Sequence, residues 1–177
     1  MFFKELETDR LFLKNISKKD RDFIFTQFSN HEVNRYLFDA EPLTDIHGAD
    51  EIIDFYIQPE PKKQHRWIIV RKDDALKIGT CGFHCWDKSA GFCDVGYDLS
   101  PLFEGKGYMN EAMQAIIEFA KTDMKINHIN ACIYIDNIKS IKLAEKLGFA
   151  FKGQMKDEVF QGKKYTHKIL TLDSTAV

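Results

Sequence analysis

Gly105 and Gly107, with Lys106 between them, precede an amphipathic run that begins at Tyr108, and residues of these types in this order can hold a phosphate. A helix start leaves about four backbone N–H groups without internal partners and carries about half a positive charge. Glycines let the main chain approach an anion closely and take up angles that a side chain forbids. The stretch Glu104-Gly105-Lys106-Gly107-Tyr108-Met109 therefore offers main-chain donors to a diphosphate, with Lys106 as an added charge. The same two glycines would also serve a plain tight turn between a strand and a helix. The Walker spacing G-x-x-x-x-G-K-[ST] is absent, and so is the third glycine of the dinucleotide fingerprint.

The elements that must position this loop follow from periodicity. Before it, three strand-like runs, Trp67 to Val70, Ile78 to Trp86 and Phe92 to Leu99, are separated by Asp73-Asp74 and Lys88-Ser89-Ala90-Gly91 and predict an antiparallel meander. After it, Met109, Ala112, Met113, Ile116, Ile117, Ala120 and Met124 step by three and four, one apolar face of a helix. Ile129 to Ile135 alternates as a strand. Asn137 opens a second amphipathic helix, with Ile138, Ile141, Ala144 and Leu147 facing inward and Gly148 as its stop. Phe149 to Phe160 and Lys164 to Leu172 complete the chain as two strands around Gln161-Gly162. Toward the start, residues 6–13 read as one opening strand. Ser17 with Asp20 forms a capping-box pattern before a short helix carrying Phe23, Ile24 and Phe28, and Thr44 or Asp45 caps a helix carrying Ile52, Ile53 and Tyr56. The order is strand, two helices, three strands, helix, strand, helix, two strands. The expected class is α+β, an α/β/α layered arrangement with a mixed, mostly antiparallel sheet and flanking helices.

Composition bounds the function. The 177 residues suit a single domain spanning 1–177, with 44% apolar residues and a formal charge of −2, which gives no reason to expect a nucleic-acid partner. No apolar run reaches the roughly 18 residues of a membrane span, and Met1-Phe2-Phe3-Lys4-Glu5 turns polar too early for a signal peptide, so a cytoplasmic protein without a membrane partner is expected. Cys81, Cys85, Cys93 and Cys132 form no C-x-x-C pair. They are read as buried reduced thiols, and no metal is expected.

Gly105-Lys106-Gly107-Tyr108 followed by Glu111-Ala112 resembles the acetyl-CoA signature Q/R-x-x-G-x-G/A of the GNAT N-acetyltransferases. It is most similar to the branch of the ribosomal-protein N-terminal acetyltransferases, where G-K-G-Y-x-x-E-A is typical. Thr8-Asp9-Arg10-Leu11-Phe12-Leu13, Val95-Gly96-Tyr97-Asp98-Leu99, and Asn137-Ile138-Lys139-Ser140 leading to Glu145-Lys146-Leu147-Gly148-Phe149 resemble three further segments of that branch, in the expected order. Two positions depart from the signature: Glu104 stands where Gln or Arg is preferred, and Met109 where Gly or Ala is preferred.

The resemblance implies acetyl transfer from acetyl-CoA to a primary amine, either a protein or peptide N-terminus or a small polyamine or antibiotic-like amine, by a monomer or homodimer. A non-catalytic acyl-CoA-binding module on the same fold is the alternative. The resemblance also implies two central strands splayed around the pantetheine arm, the arm bonded by the main chain of Tyr97 and Leu99 and by Asn137, and the diphosphate held by amides from Gly105 to Met109. It makes Asp94 the candidate base, with a strand-end aspartate as the alternative. The acid that many relatives place at the position of Ala144 is missing, so Ser140 becomes the candidate group near the sulfur; its alternative role is to help finish the helix start behind Asn137. His84 and Trp86 alternate with Cys85 and would line the acceptor pocket, unless the histidine is structural. Asp39, Glu41, Asp45, Asp50, Glu51 and Asp54, with no Lys or Arg among them, form either an acidic lip for a cationic amine or a solvated helix face.

Overall fold

The computed structural model describes residues 2–173, so Met1 and residues 174–177 of the expected 1–177 unit lie outside it. The strands β1 (Leu6–Glu7), β2 (Leu11–Asn15), β3 (His65–Arg71), β4 (Lys77–Asp87), β5 (Phe92–Leu99), β6 (His128–Tyr134), β7 (Ala150–Phe160) and β8 (Lys163–Asp173) form one sheet in the order β1-β2-β3-β4-β5-β6-β8-β7. All neighbours are antiparallel except β5 and β6. The helices are α1 (Arg21–Phe28), α2 (His31–Asn34), α3 (His47–Tyr56), α4 (Tyr108–Thr122) and α5 (Ile138–Lys146).

Two apolar layers hold the sheet between helices, as the α/β/α expectation requires. On β3, Trp67 and Ile69 join the face covered by α4 and α5, while Ile68 joins the face covered by α1 and α3. The α4 layer is the larger. Met109, Ala112, Met113, Ile116 and Ala120 sit there against Leu11, Leu13, Ile78 and Phe83. Each large side chain buried in this way contributes roughly 1.5–3 kcal/mol.

The opening segment differs from the single strand expected. It turns at Thr8-Asp9-Arg10 into a hairpin, with Leu6 opposite Leu13. A third helix, α2, also stands between the two expected; it is one turn long, capped by the Asn30 carboxamide, and too short to show a period. The Ser17–Asp20 capping box is present, and Asp45 accepts from the His47 N–H at 2.8 Å at the start of α3. Gly148 closes α5 at φ +92°, with Phe149 N–H bonding to Ala144 C=O and Gly148 N–H to Glu145 C=O, which gives the Leu-Gly-Phe stretch its physical reason.

Candidate active site

The expected diphosphate loop lies between β5 and α4. Gly105 and Gly107 take φ +73° and +81°, left-handed angles that favour glycine, and a Cβ on Gly105 would enter open space. The first bond of α4 runs from Glu111 N–H to Gly107 C=O, so the N–H groups of Tyr108, Met109 and Asn110 precede the helical ladder. Tyr108 and Met109 are buried where α4 begins. The loop is fastened from behind. Glu111 accepts from Thr8 Oγ1 at 2.6 Å, Arg10 N–H at 2.8 Å and Arg10 Nε at 2.6 Å, and Arg10 Nη1 donates to the Lys106 carbonyl at 3.0 Å. The Thr-x-Arg and Gly-x-Gly-x-x-x-Glu patterns, a hundred residues apart, are thus one fitting. Lys106 Nζ donates to Leu102 C=O, and the Glu104 carboxylate is turned onto Lys139 Nζ of α5 at 2.5 Å.

Beside this loop the sheet opens. β5 and β6 pair only through Phe92–His128, Cys93–Ile129 and Asp94–Asn130. Beyond that rung β5 stays with β4 through Leu99, and β6 stays with β8 through Tyr134. The edges of β5 and β6 that face each other thereby part into a V. Val95, Gly96 and Tyr97 line one wall, and Ala131, Cys132 and Ile133 the other. Leu99, the second expected main-chain partner, ends the same unpaired edge. Asn137 and Ser140 of α5 border the open end. Asn137 Oδ1 accepts from Ser140 N–H at 3.2 Å, and the Tyr97 hydroxyl crosses from β5 to Ser140 Oγ at 2.7 Å.

The V continues into a cleft of about 530 Å³ bounded by α1, α3 and the segment between α2 and α3. Its polar floor is buried. Asp98 accepts from Arg66 Nη1 at 3.1 Å, Gln27 Nε2 at 2.8 Å and the Thr80 hydroxyl, and burial pushes its carboxyl up against the pull of Arg66. His84 lies over Gly96, where a Cβ would meet its Nε2 at 3.2 Å; that nitrogen is 3.4 Å from both Tyr56 Oη and Arg66 Nη2. Burial, with Arg66 adding to it, lowers the His84 pKa to about 4, so the ring is neutral near pH 7. Of the six expected acids, Asp39, Glu41 and Glu51 line the mouth. The other three have partners of their own: Asp50 pairs with Arg21, Asp54 with Lys18, and Asp45 accepts from the His47 N–H just ahead of α3, whose N-cap position is Ile46.

Asp94 stands on the last paired rung, at the vertex of the V and opposite His84. Burial pushes its carboxyl up, while hydrogen bonds from Cys85 and Asn130 oppose that shift. Trp86 is elsewhere. A bulge between His84 and Asp87, with Cys85 at φ +50°, breaks the alternation and turns Trp86 to the opposite side, stacked on Phe2 at 5.1 Å and edge-on to Phe3. The cysteines also differ from expectation. All four are free, but only Cys81 and Cys93 are buried; Cys85 rides on the bulge and Cys132 faces the cleft.

Residues 10–150 match the family described as the acetyltransferase (GNAT) domain. The chain belongs to the GNAT acetyltransferase family. Among relatives of this N-acetyltransferase, an uncharacterized N-acetyltransferase, p20, of Bacillus licheniformis is 34% identical over 86% of this chain and 85% of its own length. Another, YoaA of Bacillus subtilis, is 31% identical over 96% and 97%. A crystal structure of spermidine N-acetyltransferase from Vibrio cholerae in complex with CoA and spermine superposes with a TM-score of 0.83 at 18% identity, covering 95% of this chain and 98% of that one.

Sequence reasoning missed much of this GNAT cleft. Tyr56, Arg66 and Gln27 come from three separate elements and carry no local motif. Asp98 lay inside a recognised segment and still gave no sign of its role. Arg66 offered one signal, a cation standing directly before the apolar run Trp67-Ile68-Ile69-Val70. Among the described residues no group of three or more His, Cys, Asp or Glu is placed to hold a metal ion, and no helix is long and apolar enough to cross a membrane.

Proposed function

We propose that this chain, acting as one GNAT domain over residues 1–177, transfers the acetyl group of acetyl-CoA directly to a small primary amine that arrives as a cation. The observation that supports this reading above all is the parting of β5 and β6 beyond Asp94–Asn130, directly beside the open helix start at Gly107. A strand edge freed in this way can pair with an extended amide-bearing arm, while the helix start takes the diphosphate. Acetyl-CoA supplies an activated thioester. The main-chain N–H groups from Gly105 to Met109 hold its diphosphate, the main chain of Tyr97 and Leu99 pairs with the pantetheine, and Asn137 reaches it from α5.

On the acceptor side, Asp39, Glu41 and Glu51 give the mouth a negative field, because Arg66 is already compensated by Asp98 and His84 is neutral. An alkylammonium with a pKa of about 10 must lose a proton before it can attack. Asp94, partly desolvated at the vertex, takes that proton directly or through one water. Ser140 donates to the departing sulfur. The spermine-bearing structure of the Vibrio cholerae spermidine acetyltransferase, alike in fold, supports an aliphatic amine as acceptor. The Gly-Lys-Gly-Tyr-x-x-Glu-Ala motif supports a protein N-terminus, as in the ribosomal-protein branch, as the second acceptor class.

The test mixes purified protein and acetyl-CoA with spermidine, simple alkylamines and dipeptides, and follows free thiol. Amine-dependent thiol release, strongest with amines that carry a second charge, is expected. Thiol release that no amine increases would overturn the reading, as would thermal stabilisation by ATP but not by CoA.

A further inference from the structure

The Tyr97 side chain leaves β5 on the α5 side of the sheet and ends against Ser140. Its hydroxyl is 2.7 Å from Ser140 Oγ and 3.3 Å from the Ser140 carbonyl oxygen. The main chain of the same residue lies on the edge freed when β5 and β6 part, so one residue borders the cleft with its backbone and reaches across it with its side chain. The Ser140 N–H is occupied by Asn137 Oδ1, which fixes the serine at the first turn of α5. Ser140 therefore has a set backbone, and its hydroxyl has a protein partner on one side and the cleft on the other.

We infer that Tyr97 is a positioning residue for the transfer, its hydroxyl donating to Ser140 Oγ so that the serine proton points into the cleft at the departing sulfur. This rests on the acetyl-CoA reading above. A serine acting alone would be left as an alkoxide once it gave up its proton, and the Tyr97 hydroxyl is the partner that Ser140 Oγ has among the described residues. With Tyr97 behind it, the serine gains a proton as it loses one. When the carbon–sulfur bond breaks, its electron pair stays on sulfur and the sulfur takes the Ser140 proton. Ser140 Oγ takes the Tyr97 proton, and the phenolate is re-protonated from water in the open cleft. Asp94 passes the first ammonium proton to water and takes the second from nitrogen as the amide forms. One of these two offsets the proton that water gave the phenolate and the other is released to solvent, so transfer from an alkylammonium frees one proton overall and no oxidant or reductant is involved. Phenol is the suitable reservoir, because its ordinary pKa near 10 lies far below that of an aliphatic alcohol. Burial pushes the Tyr97 hydroxyl up and keeps it protonated before the transfer.

A partly buried tyrosine also favours a partner for its hydroxyl for packing reasons alone, and the experiment separates the two roles. Tyr97→Phe keeps the ring and removes only the hydroxyl. With acetyl-CoA and the best amine, kcat is expected to fall at least tenfold, while the dissociation constant for CoA, measured by calorimetry, stays within twofold. Ser140→Ala should show the same split, and the double variant should be no slower than Ser140→Ala, because the two hydroxyls act in series. A Tyr97→Phe enzyme with kcat within twofold of wild type would overturn the inference. So would a loss of CoA affinity matching the loss in kcat, or losses that multiply in the double variant. Absence of wild-type turnover with every amine would sink the acetyl-transfer reading as well; normal wild-type turnover beside an unaffected Tyr97→Phe sinks the relay alone.

Discussion

The two sides of the cleft are made of different material. On the side proposed for the cofactor the candidate recognition groups are main-chain amides within five consecutive residues, at a helix start braced from behind by Glu111 and Arg10. On the acceptor side they are side chains gathered from α1, α3, β3, β4, β5 and the segment before α3, and they bond mostly to one another. A site built on backbone depends on local conformation and tolerates changes of side chain. A site built on side chains can be reshaped by single substitutions without disturbing the fold.

Substitutions on each side should separate accordingly. Gly105→Val places a branched side chain in a left-handed turn and in the open space before the amides. CoA affinity, measured by calorimetry, is expected to fall about a hundredfold, with roughly 1–3 kcal/mol of stability lost to backbone strain. Full affinity in that variant would break the backbone account. Asp94→Asn is expected to lower kcat about thirtyfold with CoA binding unchanged. Because burial raises the Asp94 carboxyl, its proton stays on to a higher pH than usual for aspartate. Wild-type rate should therefore rise with pH above the ordinary carboxylate range, and Asp94→Asn should lose that rise. The raised value also means that ionised Asp94 makes the folded state slightly less stable as pH climbs through its titration, so any gain in stability in Asp94→Asn should show above that pH.

Glu111→Ala removes three hydrogen bonds that tie the loop to the β1–β2 turn. A loss of about 1–3 kcal/mol in chemical denaturation is expected, with CoA affinity several-fold weaker, although Glu111 itself faces away from the cofactor side. The paired change Asp39→Asn and Glu51→Gln should raise the KM for a dicationic amine about fivefold at low salt and less at high salt, leaving kcat and CoA affinity alone. Smallest of all, Lys106→Ala should change CoA affinity by no more than about twofold, since its ammonium is held by the Leu102 carbonyl. A large effect there would show that the loop works through charge and not through its amides.

The difference between the two sides also explains what could be read in advance. The α4 face was legible because Met109, Ala112, Met113 and Ile116 repeat at the helical period, and the phosphate loop because its two glycines adjoin that start. The β1–β2 hairpin and α2 were not legible, since a two-residue strand and a four-residue helix are too short to show any period. Trp86 was assigned to the wrong side because a strict alternation was assumed across a bulge, and a bulge depends on how β4 meets β5. The six acids between Asp39 and Asp54 looked alike in sequence and divided according to whether a partner such as Arg21 or Lys18 lay within reach.

By itself the sequence determined the longer elements, their order and the place where an anion can meet a helix start, because period, capping and glycine are properties of neighbouring residues. Only the tertiary structure decided that β5 and β6 part after Asp94, that Arg66 and Asp98 form the floor of the cleft, and that Tyr97 meets Ser140. Those facts join residues between 32 and 43 positions apart, or depend on strand pairing that ends, and no local pattern encodes a distance across a sheet.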